Sequence, residues 1–262
     1  MIRGMYSATA GMMTMLTRVQ TIANNLANVD TPGYREDTLR LTTFPQMLMS
    51  RMFGGAGGAN STTLTNGAFV PLGQSSLSGV VNESMSVRLT QASLRPTDNP
   101  LDMAVQGAGF FSVQTPDGIR YTRDGSFRRD GANQLVTAQG DLVLGANGTP
   151  ITVPLGEVVV TPTGEIQVNG HAVGQVGVTE FGQPDQLKKV ANNLLEDPTG
   201  QSQPGPSQAS VVQQGYLEGS NVDPTRAMAD MMVAQRAYES NARMVQMQDD
   251  MTQRAVNDVG RV

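Results

Sequence analysis

The sequence lacks cysteine and tryptophan and contains a single histidine, His171. Without cysteine the chain cannot form a disulfide bond, a thiolate metal site or a cysteine nucleophile. One histidine without cysteine also falls short of the usual ligand sets for a transition metal. His171 follows Asn169-Gly170, a typical hairpin-turn pair, so we expect an exposed turn residue there and not a catalytic one.

Charge and long apolar runs are scarce as well. Only 16% of the residues are charged, the net charge is −5 and no basic run occurs, which argues against a nucleic-acid surface. No stretch approaches the roughly 18 apolar residues of a membrane-spanning helix. The first residues lack the continuous hydrophobic core and cleavage site of a secretory signal peptide. We therefore expect a cytoplasmic protein, or one exported by a route without a cleaved signal.

The middle of the chain is rich in turn residues. Between about residues 102 and 181, short apolar runs such as 109–113 and 157–160 alternate with turn pairs. These pairs are Asp117-Gly118, Asp124-Gly125, Asp130-Gly131, Asn147-Gly148, Thr163-Gly164 and Asn169-Gly170. This alternation predicts a small, mainly antiparallel β domain with several hairpins. Residues 54–67 and 197–210 have the composition of linkers or loops.

The first 30 residues show a helical heptad pattern. Apolar residues recur at spacings of three and four, which predicts a helix ended by Pro32 and Gly33. The members of this seam are Met5, Ala8, Met12, Met15, Val19, Ile22, Leu26 and Val29. Arg18 is the only charged residue between Met5 and Val29. A solvated helix normally carries charge on its outer face, so we expect this helix to be contacted on several sides; a buried core helix is the alternative.

The last 40 residues predict a second helix, capped by Asp223 and starting at Pro224. Its apolar stripe consists of Ala227, Met231, Ala234, Tyr238 and Val245, is flanked by Val233, Ala237, Met244, Met247 and Met251, and is interrupted by Asn241 and Gln248. The opposite face carries charged residues such as Glu239 and Arg243, an acid-first pair at i,i+4. This helix is predicted to meet water on one side.

The two end helices belong together, because each has an apolar seam that it cannot bury alone. The predicted fold class is α+β, with N- and C-terminal helices forming a coiled-coil assembly domain around a central, mainly antiparallel β domain. The expected segments are an assembly helix at 1–34, a linker or extended region at 35–90, the β domain at 91–215 and a second assembly helix at 216–262. Isolated helices lack burial, so we expect both ends to order on assembly.

Motifs spread along the whole chain resemble those of the flagellar rod and hook proteins. They are ANNLANVDTPGY at 23–34, GAGFF at 107–111, YTRDGSF at 121–127, LEGSNV at 217–222 and QRAYE at 235–239. Their order matches the family, so the chain resembles a flagellar basal-body rod protein. QRAYE and the FFSVQTPDG stretch favour the distal rod protein, whereas AMADM at 227–231 and residues 151–160 favour the proximal one, and both remain open.

The resemblance implies a structural subunit and not an enzyme, with no cofactor and no metal. Such a subunit self-assembles helically into a hollow, periplasm-spanning rod that transmits torque from motor to hook, with the helices inside and the β domain outside. The implied partners are copies of itself, other rod and hook subunits, surrounding ring proteins and the flagellar type III export apparatus, which needs no cleaved signal peptide. Nucleic-acid binding and membrane embedding are not expected.

The expected assembly interface joins the two seams to the first signature motif. It consists of Met5, Ala8, Met12, Met15, Val19, Ile22, Asn24, Asn25, Leu26, Asn28, Val29, Pro32, Gly33, Tyr34, Met231, Ala234, Tyr238, Asn241, Val245 and Met251. The asparagines either bond free backbone groups near the helix end or are simply solvated. As a hypothesis, the charged face of the C-terminal helix lines a hydrated channel and the N-terminal helix lies between subunits. Lysine at Thr14 or Gln20 should then impair assembly.

Two other classes of protein remain open. The first is a secreted β-rich binding module or adhesin oligomerised by its terminal helices, and the second is an enzyme with an unrecognised site. Gly107-Ala108-Gly109 is too short for a dinucleotide fingerprint and leads into a strand. Asp117, Asp124 and Asp130 could form a calcium site, but turn chemistry explains them more simply.

Overall fold

The computed structural model describes residues 2–43, 81–182, 184, 187–190, 193–197, 204–206 and 210–259. The predicted linker at 54–67, and most of the predicted loop at 197–210, lie outside the described residues. The chain divides into two compact units. The first comprises Met1–Asn24, Leu39–Met85 and Thr225–Val262, and the second comprises Asn25–Thr38 and Ser86–Pro224. None of the helices described is long and apolar enough to cross a membrane.

Most of the first unit consists of the predicted end helices. Helix α1 spans Ile2–Ala27 and helix α2 spans Pro224–Val259. Helix α2 starts at Pro224, as predicted. Proline suits the first helical position, because the N–H that it lacks would have no partner within the helix there. Beyond α1, Gly33 adopts a left-handed backbone with φ of 65°, a conformation in which a helix cannot continue. The helix–β–helix order predicted from the sequence is confirmed.

Strands fill the described chain between the two helices. They are β1 (Asp37–Thr43), β2 (Val81–Val87), β3 (Leu94–Pro96), β4 (Met103–Gln106), β5 (Phe110–Thr115), β6 (Gly118–Thr122), β7 (Arg128–Arg129), β8 (Leu135–Val136), β9 (Leu142–Val143), β10 (Val158–Val160), β11 (Glu165–Val168), β12 (His171–Gln175), β13 (Val178–Phe181), β14 (Lys188–Lys189), β15 (Leu195–Glu196), β16 (Pro204–Pro206), β17 (Val211–Gln214) and β18 (Tyr216–Glu218). Many are only two to four residues long, as the dense turn signals predict.

The largest sheet has nine strands, in the order β14-β15-β6-β5-β9-β8-β7, with β13 pairing β5 and β16. Three further pairs, β1–β2, β4–β17 and β3–β18, and the three-stranded sheet β10-β11-β12 complete the arrangement. The registers of the larger sheets are antiparallel, which confirms a mainly antiparallel β body. Asn169 and Gly170, with φ of 52° and 82°, form the predicted hairpin turn between β11 and β12.

The core of the second unit lies between these sheets. The larger buried cluster contains Met103, Val105, Phe111, Val113, Phe127, Leu135, Val143, Ile151, Val153, Val160, Ile166, Val168, Val176, Leu194 and Val212. Phe111 and Phe127 pack edge to face, with ring centroids 5.0 Å apart. A smaller cluster contains Phe110, Phe181, Leu187 and Leu195. Burial of such side chains contributes about 1.5–3 kcal/mol each, so this body has a core of its own.

Candidate functional site

The buried face of α1 is small and polar, and it meets α2. Ala8, Thr14 and Thr21 are buried, and Gly11 lies on the same face at helical spacing. A Cβ placed on Gly11 would lie 3.1 Å from Asn241 Nδ2 of α2. The Thr14 and Thr21 hydroxyls donate to backbone carbonyls one turn earlier, at 2.9 Å each, so their burial leaves no unpaired hydroxyl.

The predicted apolar seam of α1 lies beside this buried face. Its members Met12, Met15, Val19, Ile22 and Leu26 are only half-buried, and the side chain of Met5 lies outside the described part. On the exposed side, Met13 is 66% exposed and Leu16 is exposed as well. Much of the apolar surface of α1 is therefore uncovered in the single chain.

Helix α2 carries two apolar stripes. The first includes buried Ala234 and half-buried Met231, Tyr238, Asn241 and Val245, which the sequence placed at the interface. The second stripe is exposed and consists of Val233, Met244, Met247 and Met251. Met251, also predicted for the interface, thus lies on the exposed stripe. Next to it, Arg243 and Glu239 approach to 3.7 Å on a solvated face, as predicted; such a pair contributes little stability.

The motifs at 23–34 and 217–222 meet in the second unit. Gly33 N donates to Glu218 O at 2.7 Å, and Glu36 N donates to Asn221 Oδ1, also at 2.7 Å. A Cβ on Gly33 would lie 2.8 Å from Arg123 O and closer still to Asp124 N. Glycine is therefore required at residue 33 both by its φ angle and by the close approach of another backbone segment.

Asn25 joins the end of α1 to strand β1. Its Oδ1 accepts hydrogen bonds from Asp37 N and from the Tyr34 hydroxyl, both at 3.0 Å, and its Nδ2 donates to Asp37 O at 2.8 Å. The amide side chain thereby pairs with a backbone segment of the same chain. Asn28 Oδ1 accepts from Thr31 Oγ1 at 3.2 Å, whereas Asn24 is exposed. The three predicted asparagines thus have three different environments.

Lys189 closes the same cluster from the other side. Its Nζ donates to Arg35 O at 2.8 Å and to Asp37 Oδ2 at 3.1 Å, and it lies 3.4 Å from the centre of the Tyr34 ring. Burial lowers the pKa of Lys189, opposed by the negative charge of Asp37. Burial also raises the pKa of Tyr34, and here Asp37 adds to the effect. These groups bond one another, which is the pattern of a structural junction.

A buried ionic cluster lies beneath this junction. Arg35, Arg123 and Glu218 are 1%, 3% and 0% exposed. Arg35 Nη2 lies 2.8 Å from Glu218 Oε1, and Arg123 Nη1 lies 3.2 Å from Glu218 Oε2. Arg123 Nη2 also donates to Gly107 O. Burial lowers the pKa of Arg123 to about 10, with Glu218 opposing the shift, so the guanidinium stays charged at neutral pH.

Each of the three turn aspartates has partners within its own turn or hairpin, and Asp117 pairs with Arg120 at 3.2 Å. Asp124 Oδ1 accepts from Ser126 N and Oγ, at 3.0 and 2.7 Å. Asp130 Oδ1 accepts from Ala132 N and Gln134 N, at 2.9 and 2.7 Å. This is ordinary turn chemistry. Within the described ranges, no group of three or more His, Asp or Glu residues is placed to hold a metal ion.

Comparison with known proteins reveals similarity over the whole chain. A flagella basal body rod protein family matches residues 5–35, the flagellar hook protein FlgE/F/G D1 domain matches 104–169, and the flagellar basal body rod FlgEFG protein C-terminal family matches 213–258. The flagellar basal-body rod protein FlgG of Bacillus subtilis is 34% identical, covering 98% of this chain and 99% of its own length. The chain belongs to the flagellar basal-body rod protein family.

Two other relatives match this chain over the full length of both sequences. The flagellar hook-basal body complex protein FlhO of Bacillus subtilis is 32% identical, and the flagellar basal-body rod protein FlgF of Caulobacter vibrioides is 31% identical, each over 100% of both chains. Relatives named FlgG and FlgF thus match at similar identity, in keeping with the mixed motifs of the sequence.

The rod-family matches contain the contacting segments described above. The N-terminal match includes Gly33, Tyr34 and Arg35, and the C-terminal match includes Glu218 and Asn221. Sequence reasoning identified Gly33 and Tyr34 as signature residues; it quoted Arg123 and Glu218 only as members of motifs, without a role, and missed Arg35. Charged residues are rarely buried, and 183 residues separate Arg35 from Glu218. No local pattern in the sequence signals such a pair.

Proposed function

We propose that this chain is a structural subunit of the flagellar basal-body rod, the shaft that transmits torque from motor to hook. In this proposal it assembles helically into a hollow tube with copies of itself and with other rod and hook subunits. Full-length similarity to rod proteins supports the proposal, and so does a physical feature of the chain: both terminal helices retain exposed apolar side chains in line. Exposed apolar stripes of this kind mark interaction surfaces.

The two helices are proposed to pair as a coiled coil within the subunit. The contact between Gly11 and Asn241 supports this pairing, as does the burial of Ala8 on α1 and Ala234 on α2. Small residues allow two helices to approach closely, while Asn241 adds a polar position that favours one register. Segments 1–34 and 216–262 then act as the assembly domain, with 35–90 as a linker or extended region and 91–215 as the β domain.

The remaining stripes are proposed to contact neighbouring subunits. On α1 the exposed side includes Met13, Leu16 and Gln20, and none of the α1 side chains described as exposed is charged. On α2 the second stripe contains Met244, Met247 and Met251, whose flexible side chains can pack in several slightly different environments. A helical assembly presents such non-identical environments to each subunit. The charged face of α2, with Glu239 and Arg243, is left for a hydrated channel.

The location and further partners follow from the family. We propose that the rod crosses the periplasm inside surrounding ring proteins, and that the subunit is exported through the flagellar type III apparatus without a cleaved signal. No catalytic activity, cofactor or metal is part of this function. The groove lined by Gly145, Ala146 and Thr149 and its neighbour near Ile119 and Val178 contain no acidic, amine or imidazole side chain among their described lining residues.

A pair of adjacent substitutions on α2 tests the assembly surface. Met247 is 57% exposed on the second stripe, whereas Gln246 is exposed one residue earlier, towards the charged face. Met247→Lys should prevent rod formation, because a lysine ammonium cannot be buried unpaired between helices. Gln246→Lys adds the same charge and should be tolerated. The measurements are swimming of cells expressing each variant and electron microscopy of their isolated basal bodies.

A charge on α1 provides the second test. Thr14 is buried within the single chain, so lysine there would disturb the subunit itself as well as the assembly. Gln20 is exposed, so a substitution there tests the intersubunit surface without disturbing the packing of the subunit. Gln20→Lys should block rods while the circular dichroism of the purified chain stays unchanged, and Gln20→Ala should assemble. Normal rods with both Met247→Lys and Gln20→Lys would refute the proposed surfaces. A stable small oligomer with ligand-dependent melting would favour the secreted binding module.

A further inference from the structure

The buried ionic cluster has an unequal charge count. Two guanidinium groups, of Arg35 and Arg123, share the single carboxylate of Glu218. Glu218 Oε1 accepts a further hydrogen bond from Ala92 N at 2.8 Å. Among the described residues, Arg35 Nε, Arg35 Nη1 and Arg123 Nε have no hydrogen-bond partner. Glu218 is therefore the carboxylate that pairs with both arginines, while the negative charge of Glu180 adds a smaller favourable effect at Arg123.

The three members of the cluster come from three distant segments. Arg35 follows α1, Arg123 connects β6 to β7, and Glu218 ends β18 just before α2. The side chains are almost inaccessible to water, so the attraction between them is only weakly screened. An arginine or glutamate buried here without its partner would be strongly destabilised. The segments must therefore come together as a set.

Backbone contacts connect the same segments around the cluster. Gly33 N bonds Glu218 O at 2.7 Å, and Asn221 N bonds Tyr34 O at 3.4 Å. Asn221 also accepts from Glu36 N and donates from Nδ2 to Arg88 O, at 2.8 Å. Residues 30–37 and 216–222 thus hold each other on both sides of Glu218.

We infer that Glu218 is the positioning residue of a two-ended latch, through which residues 30–37 and 216–222 become ordered only together. The chain segment that leaves α1 is then fixed only when the segment that enters α2 is fixed, and the reverse. This coupling is a property of the single chain, so its test does not depend on whether the proposed rod assembly is correct.

The charge count ranks the effects of the variants. Glu218→Gln leaves two buried cations without their ion-pair partner, whereas Arg35→Met leaves the Arg123–Glu218 pair intact and neutral. Glu218→Gln should therefore open the latch more than Arg35→Met. Once Glu218 is neutral, Arg35 contributes only an uncompensated charge, so adding Arg35→Met should open the latch no further.

Hydrogen exchange of the full-length chain, read by mass spectrometry on peptides covering 30–37 and 216–222, measures the coupling. Glu218→Gln should speed exchange in both peptides by roughly a hundredfold, and Arg35→Met by about tenfold in both. The double variant should not exceed Glu218→Gln, although independent effects would multiply to roughly a thousandfold. Asp117→Asn is the control, because Asp117 pairs with Arg120 on the surface at 3.2 Å and lies outside both segments, and it should leave both peptides unchanged.

Two results would overturn the latch. One is faster exchange only in the peptide that carries the substitution, and the other is a double variant whose effect equals the product of the single ones. If Glu218→Gln instead destabilises the whole β body, faster exchange in the β11–β12 hairpin, which lies outside both segments, will report that global effect. The decision then rests on whether Arg35→Met speeds exchange at 216–222 while that hairpin stays protected.

Discussion

Substitution of Gly33 by alanine tests the junction between the two signature motifs. Gly33 has φ of 65°, a conformation that costs an alanine about 1–2 kcal/mol. Its added Cβ would also lie 2.8 Å from Arg123 O and nearer to Asp124 N. Both are backbone atoms of another segment and cannot rotate away. Overpacking of this kind costs roughly 1–3 kcal/mol, so we expect a total loss of about 2–5 kcal/mol.

Gly148 provides a matched control. Its φ of 72° is close to that of Gly33, but a Cβ placed there meets nothing within 4 Å. Gly148→Ala should therefore show only the conformational cost, about 1–2 kcal/mol. The difference between the two variants isolates the close approach of the 33 and 123–124 segments from the backbone strain that both share.

Urea unfolding followed by far-ultraviolet circular dichroism is the suitable assay, because the chain has no tryptophan. With an unchanged slope against urea, the shift of the midpoint gives the difference in the free energy of unfolding. Gly33→Ala should unfold at clearly lower urea than Gly148→Ala. Equal losses for the two variants would refute the close approach as the reason for glycine at residue 33.

Three further predictions concern the same region. Asn25→Ala removes three hydrogen bonds to Asp37 and Tyr34 and should lower the free energy of unfolding by about 2–4 kcal/mol. Asn24→Ala, at an exposed position, should cost below about 1 kcal/mol; equal urea midpoints for the two variants would contradict the hydrogen-bonding role. Because burial raises the pKa of Tyr34, the folded state favours the neutral phenol, so its contribution is constant below about pH 10 and is lost as the pH rises further. Absorbance titration near 295 nm should show a late-ionising tyrosine that Tyr34→Phe removes, and an unchanged curve would contradict the assignment. Limited proteolysis of the dilute chain should remove about the first 30 and the last 35 residues and stop at the latch, since α1 and α2 bury mainly small side chains against each other and leave large apolar ones exposed; uniform resistance would show that the ends are already stable in one chain.

Local chemistry was sufficient to predict much of this fold. The heptad spacing predicted α1, Asp223 and Pro224 predicted the start of α2, and Asn169-Gly170 predicted the turn between β11 and β12. Each of these signals acts over a few residues, where capping, proline geometry and positive φ decide the conformation. The central strands also followed from the alternation of apolar runs and turns.

Contacts between distant segments were not predictable in the same way. Apart from Ala8, the buried face of α1 uses Gly11, Thr14 and Thr21 and not the larger apolar residues of the predicted seam beside it. Hydrophobic periodicity weights large apolar residues, so it underrates a stripe of small residues with internally bonded hydroxyls. Arg35 and Glu218 lie far apart in the sequence, and only the folded chain brings them together.

The composition of the latch is itself informative about its role. A buried ion pair is seldom a source of net stability, because desolvation offsets the attraction, and apolar residues of similar volume often serve as well. Arginine and glutamate at this position therefore contribute chiefly to specificity, because a mispaired segment would leave an unpaired charge in the core. In the proposed helical assembly the ends of every copy adopt one geometry, and there a junction that penalises partial closure is more useful than one that merely adds stability. If so, an apolar triple replacement of Arg35, Arg123 and Glu218 should preserve the free energy of unfolding and yet lose the reciprocal exchange between residues 30–37 and 216–222.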